Sequence, residues 1–472
     1  MFLKRIALLF ICTLICSSIF AQVPVIPEPS EFKFENYSSN QFFNTKTPST
    51  PSIQLPTVPA YTQQANSQVY NPSAWMINKY YVKPNMTPEE QVRYADEQIR
   101  QHELEQRRND VVMNEANSIF DALRIDYELP FKELPEKQIY AAAFIELERM
   151  LKGELPIDLE KAVYVVEHAF DPTLNFGEFD RQLNKAANVI GLKMQQDKIS
   201  LSDNIGKVMT TFKYFADTIS VASKGETTIT SYPKEYDFED FWGKQDYRKM
   251  FVSKLLKEGS GQCHSMPLLF LLLCEKIGAK ANLAFAPNHS FIKFQDKYNQ
   301  WHNIELTNGM LASDHFMVES GFVKAEAIQN KIYMEPLTKK EVVVQCLNDL
   351  ALGYQKKYGY DPFVRECANV ALAHDSNSLT ARQALANYYI TLSNYIAYQY
   401  KMKGLTRNQF DQDQEAQAIV DATNKAIQEI ENLGYADMPE DAYSAWLNSM
   451  KDEVNKRQHS NEVKVLGGMI ER

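Results

Sequence analysis

The reading turns on residues 258–309, EGSGQCHSMPLLFLLLCEKIGAKANLAFAPNHSFIKFQDKYNQWHNIELTNG. Gly259-Ser-Gly-Gln is a turn-rich joint that ends in Cys263, and Cys263 opens an apolar run predicted to be a helix to about Ile277. Pro267 falls in the first turn of that helix, where its missing N–H costs nothing, and Gly278 suits the position just past the end. A thiol at a helix N-terminus sees the positive end of the macrodipole and free backbone N–H groups. Both favour thiolate, and the N–H groups can also hold an oxyanion. Cys274 is the internal control: it lies eleven residues on, ~16 Å along the axis at ~1.5 Å per residue. It cannot share a site with Cys263, and its LLLCEKI setting reads as core.

Downstream, Ala284-Phe-Ala-Pro-Asn288 leads into a strand over His289–Phe294, a turn over Gln295–Asn299, and a second strand over Gln300–Leu306. A five-residue loop would pair Phe294 with Gln300, Phe291 with Asn303 and His289 with Glu305, setting an imidazole beside a carboxylate on one face. A one-residue slip would destroy that arrangement. Cysteine, histidine and an orienting acid are the parts of a thiol acyl-transfer site. His289 would take the Cys263 proton and return it to a leaving group, and Glu305 would fix the ring's tautomer. Taken alone, Cys263 also fits an ordinary buried thiol. His264 is expected to flank the cleft and His302 to lie on the strand face opposite Glu305. A metal site built from Cys263, His264, His289 and His302 has no recognised ligand spacing, so neither metal nor cofactor is expected.

A cysteine at a helix start after a Gly-rich turn, a histidine at a strand start, and Trp301-His-Asn-Ile-Glu305-Leu-Thr307 together resemble the transglutaminase-like superfamily. Its members are peptide-crosslinking enzymes, cysteine peptidases and amidases. The resemblance covers about residues 230–335. It implies a papain-like core, a helix packed on a small antiparallel sheet, with Cys263, His289 and Glu305 in the Cys–His–acid roles. Glu305 stands where the family usually has Asp, and Asn303 is an alternative orienting group. The oxyanion candidates are the backbone N–H of Cys263 and the side chains of Gln262 and Trp242, the tryptophan reading equally as packing. No calcium site of the crosslinking animal enzymes is recognisable.

The rest of the chain sets the context. Residues 1–21 have Lys4 and Arg5 before an apolar core too short to span ~30 Å of hydrocarbon, then Ser-Ile-Phe-Ala. They read as a signal peptide cut after Ala21, so the mature protein is expected to be periplasmic or secreted. Cys12 and Cys16 leave with it. Of the remaining Cys263, Cys274, Cys346 and Cys367, only Cys346–Cys367 would be considered as a disulfide, and free buried thiols are the commoner outcome. Residues 22–80 form a Pro/Ser/Gln-rich arm and 81–225 a helical region starting at Thr87-Pro-Glu-Glu, with an N-cap, proline at N1 and acids in the first turn. Residues 226–340 form the α+β core, with a helix expected around Phe241–Glu258. Residues 341–472 are helical. There, Leu350-Ala-x-x-Tyr354 and Ala371-Leu-x-x-Asp375-Ser376 resemble tetratricopeptide helix pairs, although one or two degenerate repeats fit a docked helical bundle as well.

The fold class expected is therefore α+β, mostly helical. The 472 residues, 44% hydrophobic and 12% aromatic, exclude a disordered chain. A charge of −10 without a basic stripe disfavours nucleic acid, and a mean hydropathy of −0.39 excludes a polytopic membrane protein. No integral span is expected once the signal is removed. Two function classes remain. One is an exported cysteine hydrolase or acyltransferase acting on an amide or peptide bond. The other is an inactive scaffold of the same fold that binds peptides or proteins through its C-terminal helices.

Overall fold

The structure, a computed structural model, describes residues 87–222, 228–241, 243–436 and 444–456. The expected signal peptide, the arm at 22–80 and Trp242 lie outside the described residues. In chain order the helices are α1 Pro88–Leu123, α2 Lys137–Leu151, α3 Leu159–Phe170, α4 Phe176–Gln196 and α5 Asn204–Ala216. Strands β1 Ile219–Ala222, β2 Thr228–Ser231 and β3 Glu235–Tyr236 follow, then α6 Val252–Glu258, β4 Ser260–Gly261 and α7 Ser265–Lys276. Next come β5 Asn282–Ala286, β6 His289–Gln295, β7 Trp301–Glu305 and β8 Met310–Ala312. The remainder is helical: α8 Asp314–Ser320, α9 Ala325–Gln329, α10 Lys339–Tyr358, α11 Pro362–His374, α12 Leu379–Met402, α13 Arg407–Gln412 and α14 Gln414–Asn432. The class is α+β with a helical C-terminal region, as the sequence leads one to expect.

The described chain forms two compact units. The smaller comprises residues 87–126 and 396–411. In it, Thr87 and Glu90 close a reciprocal capping box on α1, with Pro88 in the first turn. Gln399 exchanges two hydrogen bonds with the backbone of Asp126, at 2.9 and 2.8 Å. No helix among the described residues is long and apolar enough to cross a membrane.

The larger unit holds residues 127–395 and 412–456, so the boundaries expected at 225 and 340 both fall inside it. The reason lies in two helices. The α7 sequence SMPLLFLLLCEK is apolar all round, and all but its last two residues are buried. A helix of that kind has no solvent face and becomes the axis about which others pack. It is covered by α4, α5 and α6 on one side and by β5 and β6 on the other. Each fully buried leucine of the run contributes ~1.5–3 kcal/mol of transfer free energy. The second helix, α10, lies beyond the expected boundary, yet it is buried along most of its length against α2, α3 and α11. Asp361, at the N-cap of α11, ties that layer together: it accepts from Lys137 Nζ at 2.8 Å and from the Tyr354 hydroxyl. Cys346 and Cys367 are buried free thiols.

The main sheet is an antiparallel meander, β5-β6-β7-β8. Pro287-Asn288 makes the first turn: Ala286 pairs with His289, and Asn288 takes the left-handed conformation at φ +55° that the third position of a Pro-led turn requires. The second hairpin has the five-residue loop expected, one position later in the chain. Gln295 pairs with Trp301, and Ile292 with Ile304. Asp296 sets that position, because its carboxylate accepts the N–H groups of Tyr298 (2.8 Å) and Gln300 (2.9 Å) while Asn299 adopts φ +60°. The expected pairing of His289 with Glu305 is therefore corrected by two residues. Continuing the ladder puts Phe291 opposite Glu305.

The helix expected around Phe241–Glu258 is also corrected. Asp240 gathers the N–H groups of Lys244, Gln245 and Asp246 onto its carboxylate, which organises a loop, and only a 3₁₀ turn at Tyr247–Met250 and the short α6 are helical.

Candidate functional site

Cys263 stands in the turn that feeds α7 rather than on the helix itself. Gly259 ends α6 at φ +76°, and β4 pairs with β3 in parallel. A side chain at Gly261 would run into Ser265 Oγ at 2.6 Å. Ser265 Oγ instead accepts the Gln262 N–H at 2.9 Å, and the Gln262 carbonyl accepts the Met266 N–H at 3.0 Å. This tight turn leaves the half-buried Cys263 at the positive end of a buried helix. From the sheet, Ser290 Oγ donates to the Cys263 carbonyl at 2.5 Å. That bond ties the cysteine to the residue next to His289.

His289, the first residue of β6, is 7% exposed, and its Nε2 lies 2.6 Å from Glu305 Oε2. Glu305 is 1% exposed, and its other oxygen accepts the Thr307 N–H at 2.8 Å. The two-residue change of register explains why this pair still meets. Side chains alternate with a period of two, so a shift of two keeps both residues on one face and makes them diagonal rather than direct neighbours. Diagonal partners stand ~7–8 Å apart instead of ~5 Å. The longer glutamate spans that gap, so the extra methylene relative to aspartate has a geometric use.

The Cys263 thiol and the His289 imidazole face the same cavity, where each acts electrostatically on the other. His289 Nδ1 is buried without a closed hydrogen bond, the loose geometry common in sites without substrate. Burial by itself would push the thiol pKa up, but the neighbouring His289, with smaller help from His264 and the Tyr236 hydroxyl, brings it below the ordinary value. For His289, burial opposes the charged ring, and Glu305 together with the thiol overrides it, so the imidazolium is favoured. Glu305 would likewise be raised by burial, but His289 and the Thr307 N–H hold it below the usual carboxylate range. All three shifts run in the direction that favours charge on the thiol, the ring and the carboxyl. Trp446 packs edge-on against the His289 ring, with centroids 4.8 Å apart.

The thiol and the imidazole open onto a cavity of about 140 Å³. That is smaller than the ~300–1,000 Å³ of a typical ligand pocket, and it suits one group of a larger molecule. Its opposite wall comes from the C-terminal helices, with Gln345, Asn348 and Asp349 on α10 and Gln383 on α12.

Of the other candidates, Gln262 is fully buried, and its amide donates to the carbonyls of Asp237 (3.1 Å) and Asp240 (3.0 Å). Both hydrogens are committed to the turn, so it is corrected from an oxyanion donor to a structural tie. Asn303 donates to Asp314 at 2.8 Å and stays away from His289. His302 turns to Asp296 at 3.0 Å, away from the site. His264 flanks the cavity, as expected. Among the described residues, no group of three or more His, Cys, Asp or Glu side chains is placed to hold a metal ion. Three residues of the site carry no signal of their own in the sequence. Tyr236 sits in an aromatic-acidic stretch, Asp349 in a helix that reads as tail, and Trp446 some 150 residues after the histidine. Only the register of α10 and the pairing of β3 with β4 bring the first two to the thiol.

No protein-family model and no curated protein matches the chain. Among solved structures it is similar to menin, in a crystal structure described as revealing the binding site for Mixed Lineage Leukemia (MLL) protein. The identity is 12% and the TM-score 0.29, over 58% of this chain and 69% of that one. A TM-score of that size carries no argument about fold or function.

Proposed function

We propose that this protein is an exported thiol hydrolase of transglutaminase-like type, with a papain-like core, that cleaves amide or peptide bonds. The observation that carries the reading is the buried line from Cys263 through His289 to Glu305, with its 2.6 Å imidazole–carboxylate contact, at the wall of a cavity. In the reaction, the Cys263 thiolate attacks the substrate carbonyl carbon and a C–S bond forms. Among the described residues, the backbone N–H of Cys263 is the candidate to hold the oxyanion. The tetrahedral intermediate collapses, the C–N bond breaks, and the His289 imidazolium gives its proton to the departing amine. Water then attacks the thioester, its proton passes to His289, and C–S cleavage releases the acid and restores the thiolate. Glu305 holds the ring in place and favours its charged form throughout. An amine in place of water would give transfer instead of hydrolysis. Water is favoured because no calcium-dependent crosslinking machinery is evident in the sequence.

The test exposes the purified chain to peptide and cell-wall amide pools and measures released amines and acids by mass spectrometry. Cys263→Ala and His289→Ala serve as controls. Products that vanish in both variants support the reading. A product profile unchanged by Cys263→Ala overturns it, and no turnover together with retained peptide binding would favour the scaffold alternative.

A further inference from the structure

Beside the thiol lies a second imidazole–carboxylate pair that the mechanism above does not use. His264 directly follows Cys263 and is the N-cap residue of α7. Its Nε2 lies 3.1 Å from Asp349 Oδ2. The other oxygen of Asp349 accepts from Gln345 Nε2 at 2.8 Å, so the carboxylate is held at both ends. Cys263, His264 and Asp349 line the same cavity. Behind it, His264 and Asp349 also line a cavity of about 20 Å³ shared with Glu167 and Tyr247, room for about one water.

The groups facing His264 are thus Asp349 from α10, Cys263 from its own turn, Glu167 from α3 and Tyr247 from the 3₁₀ turn, with the Cys346 thiol of α10, pushed up by burial, in the same small cavity. Glu167 is committed elsewhere, accepting the N–H groups of Val252 (2.6 Å) and Ser253 (3.0 Å), and burial pushes its pKa up to about 7. Burial likewise keeps the Tyr247 hydroxyl neutral. Asp349 is therefore the principal partner. Burial works against a charged His264, but Asp349, with the thiol and Glu167 behind it, tips the ring toward imidazolium.

We propose that His264, held by Asp349, is a positioning residue for Cys263: a second cation from the thiol's own turn, anchored by the helical wall, while His289 is supplied from the sheet. The two histidines have different duties. His289 loses its proton to the amine in the first half-reaction and regains one from water in the second, so its charge is absent in between. His264 is tied to a carboxylate outside the proton relay and stays charged through the cycle. It therefore favours ionised sulfur both when the thiolate attacks and when it departs from the thioester.

This rests on the thiol-nucleophile reading, and the test separates the two. The pH dependence of iodoacetamide alkylation of Cys263 is measured in the full chain for wild type, His264→Gln, Asp349→Asn, the double variant and His289→Ala. His264→Gln keeps a donor for Asp349 and removes the charge. It should raise the alkylation midpoint by about half a pH unit or more, which is ~3-fold or more in rate below the midpoint. Asp349→Asn should shift it the same way. The double variant should shift no further than His264→Gln, because Asp349 acts through His264. A purely structural His264 would change thermal stability and leave the midpoint alone. An unmoved midpoint in His264→Gln, with a raised one in His289→Ala, overturns this proposal and leaves the thiol reading standing. A midpoint insensitive to His289→Ala overturns both. If His264→Gln does not fold, Asp349→Asn decides by the same criterion.

Discussion

The two ends of α7 each carry a cysteine, and they behave as different chemical groups. Cys263, in the turn before the helix, has two imidazoles and a phenol around it, and its thiol is easier to ionise than usual. Cys274, near the far end, is buried against the helical layer, and burial pushes its pKa up to about 12. Its one hydrogen-bonding neighbour, Thr211, offsets little of that. Cys274 is buried and Cys263 half-buried. Positive charge lies beside the thiol of Cys263 and not that of Cys274, and that local field, with the difference in exposure, makes only Cys263 easier to ionise.

The largest expected effect tests that contrast directly. With one pKa below the ordinary value of 9 and the other near 12, the thiolate fractions at pH 7 differ by at least ~10³-fold. Brief iodoacetamide treatment followed by peptide mapping should label Cys263 and leave Cys274 untouched. Labelling of the two within tenfold of each other would remove the distinction.

A smaller effect sharpens the geometry at the reactive end. Glu305→Asp shortens the side chain by one methylene across a diagonal contact that now closes at 2.6 Å. The loss should be on the order of 10–100-fold in the Cys263 alkylation rate at neutral pH, with little change in the melting profile. If the shorter acid served as well, the diagonal account of the glutamate would fail.

The smallest effect belongs to the inert end. Cys274 is raised in the fold, so the native state keeps its proton while the unfolded chain loses it above ~8.5. Its contribution to stability is full below that pH and is lost as pH rises toward its folded value, by up to ~1.4 kcal/mol per unit. Denaturant unfolding of wild type and Cys274→Val should therefore diverge between pH 8.5 and 10.5, with wild type losing more. Parallel pH profiles would mean that Cys274 is less shielded than its surroundings imply.

Much of this contrast was legible in the sequence, and for specific reasons. The all-apolar run from Met266 to Cys274 could only be a buried helix, and the Gly-rich joint before Cys263 could only be a turn. The alternation around His289 and Trp301 marked the hairpin, with its turn expected at Gln295–Asn299, one position before the observed loop. The register was missed because it depends on which residue of the loop captures the turn N–H groups. Here that residue is Asp296, and a composition of turn-forming residues does not reveal the choice. The error was harmless to the site because a shift of two preserves the face. Gln262 was misread for a similar reason: its amide is spent on two carbonyls whose positions the linear chain does not disclose.

Local sequence determined the elements at the site and the identity of three of its side chains, since helix ends, turns and strand alternation follow from nearest-neighbour sterics and hydrophobic period. What surrounds the sulfur was decided only by tertiary packing. Tyr236 reaches it through a two-residue parallel pairing, Asp349 through the burial of α10, and Trp446 through the return of the C-terminal segment onto His289. Those approaches join residues from about 30 to about 160 positions apart. They are set by how whole apolar faces close against one another, and no local pattern encodes them.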